Sequence, residues 1–526
     1  MFYKKDKKFK KILSKDIVLS KFADGPLTLK DSAILTQKNA KIIYNYTFND
    51  GALSMGLGFK ELTIPSSWNN PEVEELIDFK SDEIISIWYI RWYNMEMEKY
   101  LYILYFMSTD YQIKYIFLVN EYDGLIFKNS YILSSVPFCY NYRLNDLDCV
   151  CFSSETDGVV VIKIDGSVKY SNGPKVISSL VHYDKFFGLT AGERNSVVYS
   201  SNLDFTSWAN DDKKTVEFQD NLGSFIKLVS FNDYVYIFRE HGITKISAYT
   251  SSGEFSKNNL WTSSSFIYRN SIEICGDKIL FMTRDGLYCF NGASVNKIET
   301  EYNELLYNID KTNCSSACLG GKYYLTGRYD FDDNEQIGCE NKVDYINNVL
   351  FEIDCENYDL NILRGIDIKK IVAIDNPIMS KLVACFNGDL KNKVGELTHD
   401  GKIMGTNLKK SWKSANNDLG YAGQLKQIKK VILKTLGDCI IRISSDREEK
   451  EYKVYASSKE QTINVNVIGN LFEISFITNE CDLCKISAPK IIFNVQSWNW
   501  PIKIIYLFII KKIYIKGVLI WLLKIF

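Results

Sequence analysis

The sequence predicts an all-β fold, a β-propeller of about six to eight blades followed by a smaller β-sandwich-like C-terminal domain. Three observations carry this expectation. First, a short apolar run, a polar turn and a second apolar run recur along most of the chain, around Gly124, Gly166, Gly242 and Gly286, and more loosely around Gly401. Second, Asp-Gly occurs seven times where average usage would give about two. Asp-Gly supplies the positive φ angles of a tight hairpin turn. Third, nothing from Ile84 onward sustains a helical apolar period over three turns. An ordinary sandwich would be used up after about 100 residues. This pattern runs much further, and radial repetition of small sheets is the economical way to cover the length.

Taken in order, residues 1–60 read as a basic N-terminal arm with one hairpin, Ile42–Phe48 against Ala52–Leu57 across Asn49-Asp50-Gly51. Residues 61–405 read as the propeller. They open on a loop with Pro65, Pro71 and the acids Glu72, Glu74 and Glu75. Strands are then expected at Ile84–Tyr93, Tyr100–Met107, Tyr111–Val119, Leu125–Ile132, Val159–Ile164, Val197–Ser200, Phe225–Ser230, Tyr234–Phe238 and Ile243–Ala248. They continue at Ser271–Cys275, Lys278–Met282, Leu287–Phe290, Lys322–Thr326, Val349–Ile353 and Lys381–Cys385. Residues 406–500 form a C-terminal β domain, polar over Lys409–Lys430. Its strands alternate more strictly: Val431–Leu436, Cys439–Ser444, Tyr452–Ala456, Ile463–Val467, Phe472–Thr478 and Lys490–Val495. Residues 501–526 are an apolar, basic tail whose uncharged runs, Ile504–Ile510 and Gly517–Leu523, are far short of the roughly 20 residues that span a bilayer. The tail reads as an interfacial helix, a partner-bound segment, or an extension outside the folded unit such as read-through.

The overall charge of −1 implies no global attraction to nucleic acid. Seven lysines between Lys4 and Lys15 read as a solvated arm, with a phosphate-binding arm in weak contact with DNA, or a membrane-touching arm, as the sharper alternative. Thirteen cysteines at irregular spacing, with no apolar leader in the first fifteen residues, suggest reduced thiols that bind no metal.

The candidate chemistry is sparse, and no catalytic, cofactor-binding or metal-ligating residue is assigned. The three histidines, His182, His241 and His399, fall in no catalytic or metal motif and read as structural or solvated. Cys481 and Cys484 have knuckle spacing, and Cys314 with Cys318 offers a second pair for a zinc site, but the pairs fall in different domains. Cys149 and Cys151, two apart, should face one side of a strand. Asp330, Asp332, Asp333 and Asn334 imitate a calcium loop, but Glu335 stands where Gly is needed and Asn341 where a bidentate Glu is needed. Ser201-Asn-Leu-Asp204-Phe-Thr-Ser-Trp208 looks like a degenerate Asp box of sialidase-type propellers, a device that stabilises hairpins.

Residues Gly192–Trp208 resemble a stretch of bacteriophage virion propeller proteins, a charged turn, an apolar pair with Tyr, then Ser and a turn ending in Trp. Asp31–Gly58 is similar to their N-terminal arm, with Met55 where a basic residue is usual. Gly469–Val495 looks like their closing β domain. The best-known branch comprises the packaged-DNA stabilisation, or head-to-tail hub, proteins of short-tailed phages. The resemblance implies a non-enzymatic structural protein of a phage or prophage virion, assembled in the bacterial cytoplasm. It implies portal, connector or tail subunits as partners in a homo-oligomeric ring. The alternative is a glycan-binding or glycoside-hydrolysing propeller, which would need acids, arginines and aromatics at one mouth of the channel. A host scaffolding propeller is the third reading.

Because the closing strands are complete by Val495, a chain ending at Trp500 should melt within a few degrees of the full chain and be at least as soluble. Thermal melts of the two chains check this. Loss of folding in the shorter one would place the tail in the core.

Overall fold

The computed structural model describes residues 12–18, 24–26 and most of 39–496, the main gaps being 63–82, 118–125, 205–214, 248–254 and 332–344. The protein is all-β, built of many small sheets, with one short α-helix, Asn303–Asn308, among the described residues. Between residues 84 and 407, seven sheets follow one another in chain order, antiparallel except for one parallel bridge between Ile403 and Phe59 in the last. Sheet I comprises Ile84–Asn94, Lys99–Ser108, Gln112–Phe117 and Ile126–Ile132. Sheet II comprises Phe138–Leu144, Leu147–Ser154, Gly158–Lys163 and Val168–Tyr170. Sheet III runs from Val176–His182 to Thr215–Glu217 and sheet IV from Phe225–Phe231 to Ser256–Thr262. Sheet V runs from Glu273–Cys275 to Val295–Lys297 and sheet VI from Ser316–Leu319 to Leu360–Arg364. In sheets I to VI each strand pairs with the next in sequence, which is what short hairpin connections produce.

Sheet VII is assembled differently. Ile368–Asp375, Ser380–Phe386 and Val394–Thr398 form a meander, and its next strand is Gly58–Glu61 from more than 300 positions earlier. Phe59 pairs with Leu397, is fully buried, and meets Phe386 edge-on with ring centroids 5.4 Å apart.

The second strand of each sheet explains the long apolar runs in the sequence. Cys149 and Cys151 pack with Val176 and Phe186 of sheet III, as expected for residues on one side of a strand. The alternate residues Val150 and Phe152 pack with Ile103, Tyr105 and Met107 of sheet I. Strand Lys99–Ser108 uses its other face, Leu104 and Phe106, against Val383 and Cys385 of sheet VII. Apolar clusters of this kind join every consecutive pair of sheets, and also sheet VII to sheet I. A strand covered on both faces reads as a continuous apolar run rather than an alternating one.

Two further sheets share a separate core. One orders Ile12–Val18, Lys490–Gln496, Leu425–Thr435, Lys485–Ile486, Ala52–Met55 and Tyr46–Asn49, with Ser457–Gly469 also on Leu425–Thr435. The other orders Asp24–Pro26, Asn39–Tyr44, Lys410–Ser414, Phe472–Thr478, Cys439–Ser445 and Glu449–Val454. Tyr46, Ile428, Val431 and Phe493 of the first sheet pack with Trp412, Ile441 and Phe476 of the second. The stretch 1–60, expected as a separate arm, therefore supplies strands to both C-terminal sheets and to sheet VII. The expected hairpin is present, as Tyr46–Asn49 against Ala52–Met55, and Asn45 breaks it from Asn39–Tyr44.

The expected strands recur within one to three residues for the most part, and Phe472–Thr478 has the expected bounds. Polar edge strands such as Ser256–Thr262 and Val295–Lys297 escaped the apolar pattern. So did Phe138–Leu144, whose polar residues interrupt it. The turns differ in detail. Asp285-Gly286 does join adjacent strands, but Arg284 and Asp285 make the turn, with Thr283 paired to Gly286. Gly286 opens the next strand at φ +137°. Positive φ at both turn residues occurs instead at Asn232-Asp233 and Gly320-Gly321. Residues 164–167, with Asp165-Gly166, lie outside the described residues, though the strands on either side pair.

A Cβ on Gly286 would meet only the Lys297 side chain, at 3.4 Å, so backbone conformation alone sets the cost of substitution. Gly286→Val should therefore lose about 1 kcal/mol or somewhat more, because a β-branched residue resists that φ. Denaturant unfolding of the two proteins measures it. An unchanged midpoint would contradict the strained turn.

Candidate functional site

A cavity of about 910 Å³ is lined by the first strand of every one of the seven sheets, through Ser86, Phe138, Ile177, Lys227, Glu273, Ala317 and Lys370. Its charged lining is mostly cationic: Lys227, Arg269, Lys369 and Lys370, against Glu155 and Glu273. No sequence motif marked these residues. They are spread over more than 200 positions and come together only in the folded chain, Lys227, Glu273, Lys369 and Lys370 on first strands and Glu155 and Arg269 on connections.

Each cation ends on or beside another sheet, and Arg269 passes over sheet IV to do so. Lys227 Nζ donates to the Ile272 carbonyl at 2.5 Å. Arg269 donates to the Ile177 carbonyl, and its guanidinium lies 4.6 Å from the Phe138 ring centroid. Lys369 pairs with Glu83 and donates to the Ile84 carbonyl at 3.2 Å. Lys370 Nζ donates to Ser86 Oγ at 2.8 Å and lies 4.4 Å from the Trp88 ring centroid. Neutral groups do the same. Leu228 N donates to Ser178 Oγ at 3.0 Å, Ser316 Oγ to the Asn270 carbonyl at 2.7 Å, and Ile371 N to Ser315 Oγ at 3.1 Å.

Burial governs the protonation of this lining. It pushes the Lys227 ammonium down, with Glu273 partly opposing, and pushes the Glu273 carboxyl up, with Lys227 partly opposing. It lowers Lys370 to about 8. Perturbed groups in a cleft mark functional sites, but structural ion pairs perturb them as well. Here the bonding capacity is directed into contacts between sheets, which makes this lining a set of staples.

The histidines hold structural positions. His182 Nδ1 bonds Ser230 Oγ at 2.7 Å, across sheets III and IV, and burial lowers its pKa. His241 sits in the turn between Tyr234–Arg239 and Gly242–Ser247. His399 Nε2 lies 3.7 Å from Glu352 Oε2. Burial alone would raise the Glu352 carboxyl, but nearby His399 and hydrogen bonds from Lys322 and Asn361 hold it down at about 2. Cys484 is buried in the C-terminal core, 3.5 Å from Thr478 Oγ1, and Cys314 and Cys318 belong to the core between sheets V and VI. Cys484 is therefore not brought to Cys314 and Cys318. Cys481 lies outside the described residues, as do Asp332, Asp333, Asn334, Glu335 and Asn341 of the calcium-like loop. Asp330 neighbours Arg328 at 3.4 Å. Of the Asp-box-like stretch, Ser201 and Asp204 form a β-bridge, and Trp208 lies outside the described residues.

The structure instead gathers Cys275, Cys318 and Cys355, whose sulfurs all lie within 4.8 Å of one another. Hydrogen bonds from the other two thiols favour the Cys355 thiolate, and those shared bonds raise Cys275. These residues are 43 and 37 positions apart, about one sheet each, so no knuckle spacing signals them. Among the described residues, no helix is long and apolar enough to cross a membrane.

In the unfolded chain the Lys370 amine titrates near 10.4 and in the folded protein near 8. Between those values the unfolded state holds more protons, so stability rises with pH. Relative to Lys370→Met, the native chain should gain about 2–3 kcal/mol from pH 7 to pH 10.5. Parallel pH series of denaturant melts test this. Identical slopes for both proteins would show that the amine is not held in a desolvated position.

No protein-family model matches the chain, and no curated protein does. A solved structure that overlaps it is the extracellular domain of a putative one-component system from B. thetaiotaomicron, at 10% identity and TM-score 0.40, over 87% of this chain and 64% of that one.

Proposed function

We propose that the seven sheets are the blades of a β-propeller, and that the two sheets built by both ends of the chain are a β-sandwich that carries it. We propose further that the protein is a non-enzymatic structural subunit of a phage or prophage particle, at a head–tail junction or in a tail, working through protein contacts. The observation that carries the structural reading is the bonding of the cavity, whose cations reach across to other sheets. Sheet VII, completed by Gly58–Glu61 and packed on sheet I, supports closure of a ring.

Rigidity between the two bodies supports the same reading. Asn45 is fully buried at φ 61°, between the strands Asn39–Tyr44 and Tyr46–Asn49. Its backbone N–H donates to the Ile362 carbonyl at 2.8 Å, and its side chain donates to the carbonyls of Arg364 and Lys409 at 3.0 and 2.7 Å. Its side-chain oxygen accepts from Arg364 N at 2.7 Å. One saturated amide thus joins sheet VI to the sandwich, as befits a block that must transmit force. Glycoside cleavage needs two carboxyl groups about 5 to 9 Å apart. Among the described cavity residues the acids are Glu155 and Glu273, and Glu273 is set against Lys227. The virion assignment itself rests on the resemblance of residues 31–58, 192–208 and 469–495 to phage proteins.

Density-purified particles from a strain carrying this gene should contain the chain in several copies per particle, by quantitative mass spectrometry. Its absence from intact particles, or its recovery as free protein that binds glycans on an array, would overturn the proposal.

A further inference from the structure

We propose that Cys275, Cys318 and Cys355 together hold one thiophilic d¹⁰ ion, zinc(II) or copper(I), at the rim between sheets V and VI. This goes beyond the particle reading and does not depend on it. It also departs from the sequence expectation that no cysteine binds metal.

The geometry is close to that of a metal-thiolate centre. A zinc–sulfur bond of about 2.3 Å places tetrahedral ligands about 3.8 Å apart. The three sulfurs already lie within 4.8 Å of one another, so closing the widest gap takes about 1 Å.

The backbone holds all three at hairpin ends. Cys275 pairs with Lys278 across the Gly276-Asp277 turn. Cys318 pairs with Tyr323 beside the Gly320-Gly321 turn. Cys355 N donates to the Gly321 carbonyl at 2.8 Å, which ties the third ligand to the second hairpin. Ligands on such rigid elements are preorganised.

The donor set selects the ion. Three thiolates favour zinc or copper(I) and reject magnesium and calcium, which take oxygen. Two thiols could instead join as a disulfide, leaving the third unpaired, and that is the rival arrangement. The site also has an entry path. Cys318 is partly exposed, and a Cβ on Gly276, Gly320 or Gly321 would meet nothing within 4 Å. That open side leaves room for a water as the fourth ligand of zinc, whereas copper(I) is satisfied by the three sulfurs. Three thiolates around zinc leave one negative charge. Lys278, whose ammonium donates to the Cys355 carbonyl at 2.6 Å, stands beside it. A bound ion would cross-link the rims of two neighbouring sheets.

The test uses the full chain, reduced, stripped with chelator under nitrogen, then offered zinc(II) or copper(I) separately. Elemental analysis should find one ion per chain, and cobalt(II) in place of zinc should give a thiolate charge-transfer band. Cys318→Ser and Cys355→Ser should lose the ion, while Cys314→Ser and Cys484→Ser should keep it. Zinc uptake with a cobalt band assigns the four-coordinate form, and uptake of copper(I) alone assigns the trigonal form. If the serine variants fail to fold, alkylation of the native chain decides: bound metal should protect these three thiols in peptide mass spectra. Failure to bind either ion, retention of metal in both rim variants, or metal that leaves all three thiols open to alkylation would overturn the proposal.

Discussion

The strand Gly58–Glu61 sets the layout on either side of it. It occupies the position in sheet VII that a strand following Val394–Thr398 would otherwise fill, so sheet VII cannot be completed until the chain's beginning and its middle have met. The approach is close enough to need glycine. A Cβ on Gly58 would come within 2.4 Å of the Lys402 carbonyl oxygen, and one on Gly56 within 2.3 Å of the Asn45 carbonyl oxygen. A few residues earlier, Asn45 binds sheet VI, and between the two the strand Ala52–Met55 lies in the C-terminal core. One short segment therefore registers sheet VI, sheet VII and the terminal sheets against each other. The cost of ordering so long a loop is repaid only when all these contacts form together, which couples the bodies in folding.

Bonds around the cavity work on the same principle. Sheets packed face to face by apolar side chains are held by a force without direction and could slide. Hydrogen bonds from Lys227, Arg269, Lys370 and Ser316, and the one that Ser178 Oγ accepts from Leu228 N, run from one sheet to another and supply the direction. Burying amines costs free energy, visible in the lowered protonation of Lys227 and Lys370, and the cross-sheet bonds offset part of it. The structural role proposed above accounts for a lining engaged in this way. The rim, where thiols gather at hairpin ends rather than in mid-strand, is where chemistry is left over.

The sequence by itself determined the all-β class and most of the strands. Hairpins are local: a turn residue with the right φ and two apolar runs suffice, and both are written consecutively in the chain. Cys149 and Cys151 were placed on one side of their strand by the period of two alone. What the tertiary structure decided is everything that depends on residues far apart. Polar edge strands such as Ser256–Thr262 are strands because a neighbour pairs with them, not because of their own pattern. The early residues 12–61 joined the end of the chain and sheet VII through backbone hydrogen bonds, which carry no side-chain signature. The cavity cations and the three-thiol cluster follow the same rule. Apart from the adjacent Lys369 and Lys370, their members lie dozens of residues apart, and a side chain's neighbours across a packed interface are set by how sheets stack, a global property that no local window contains.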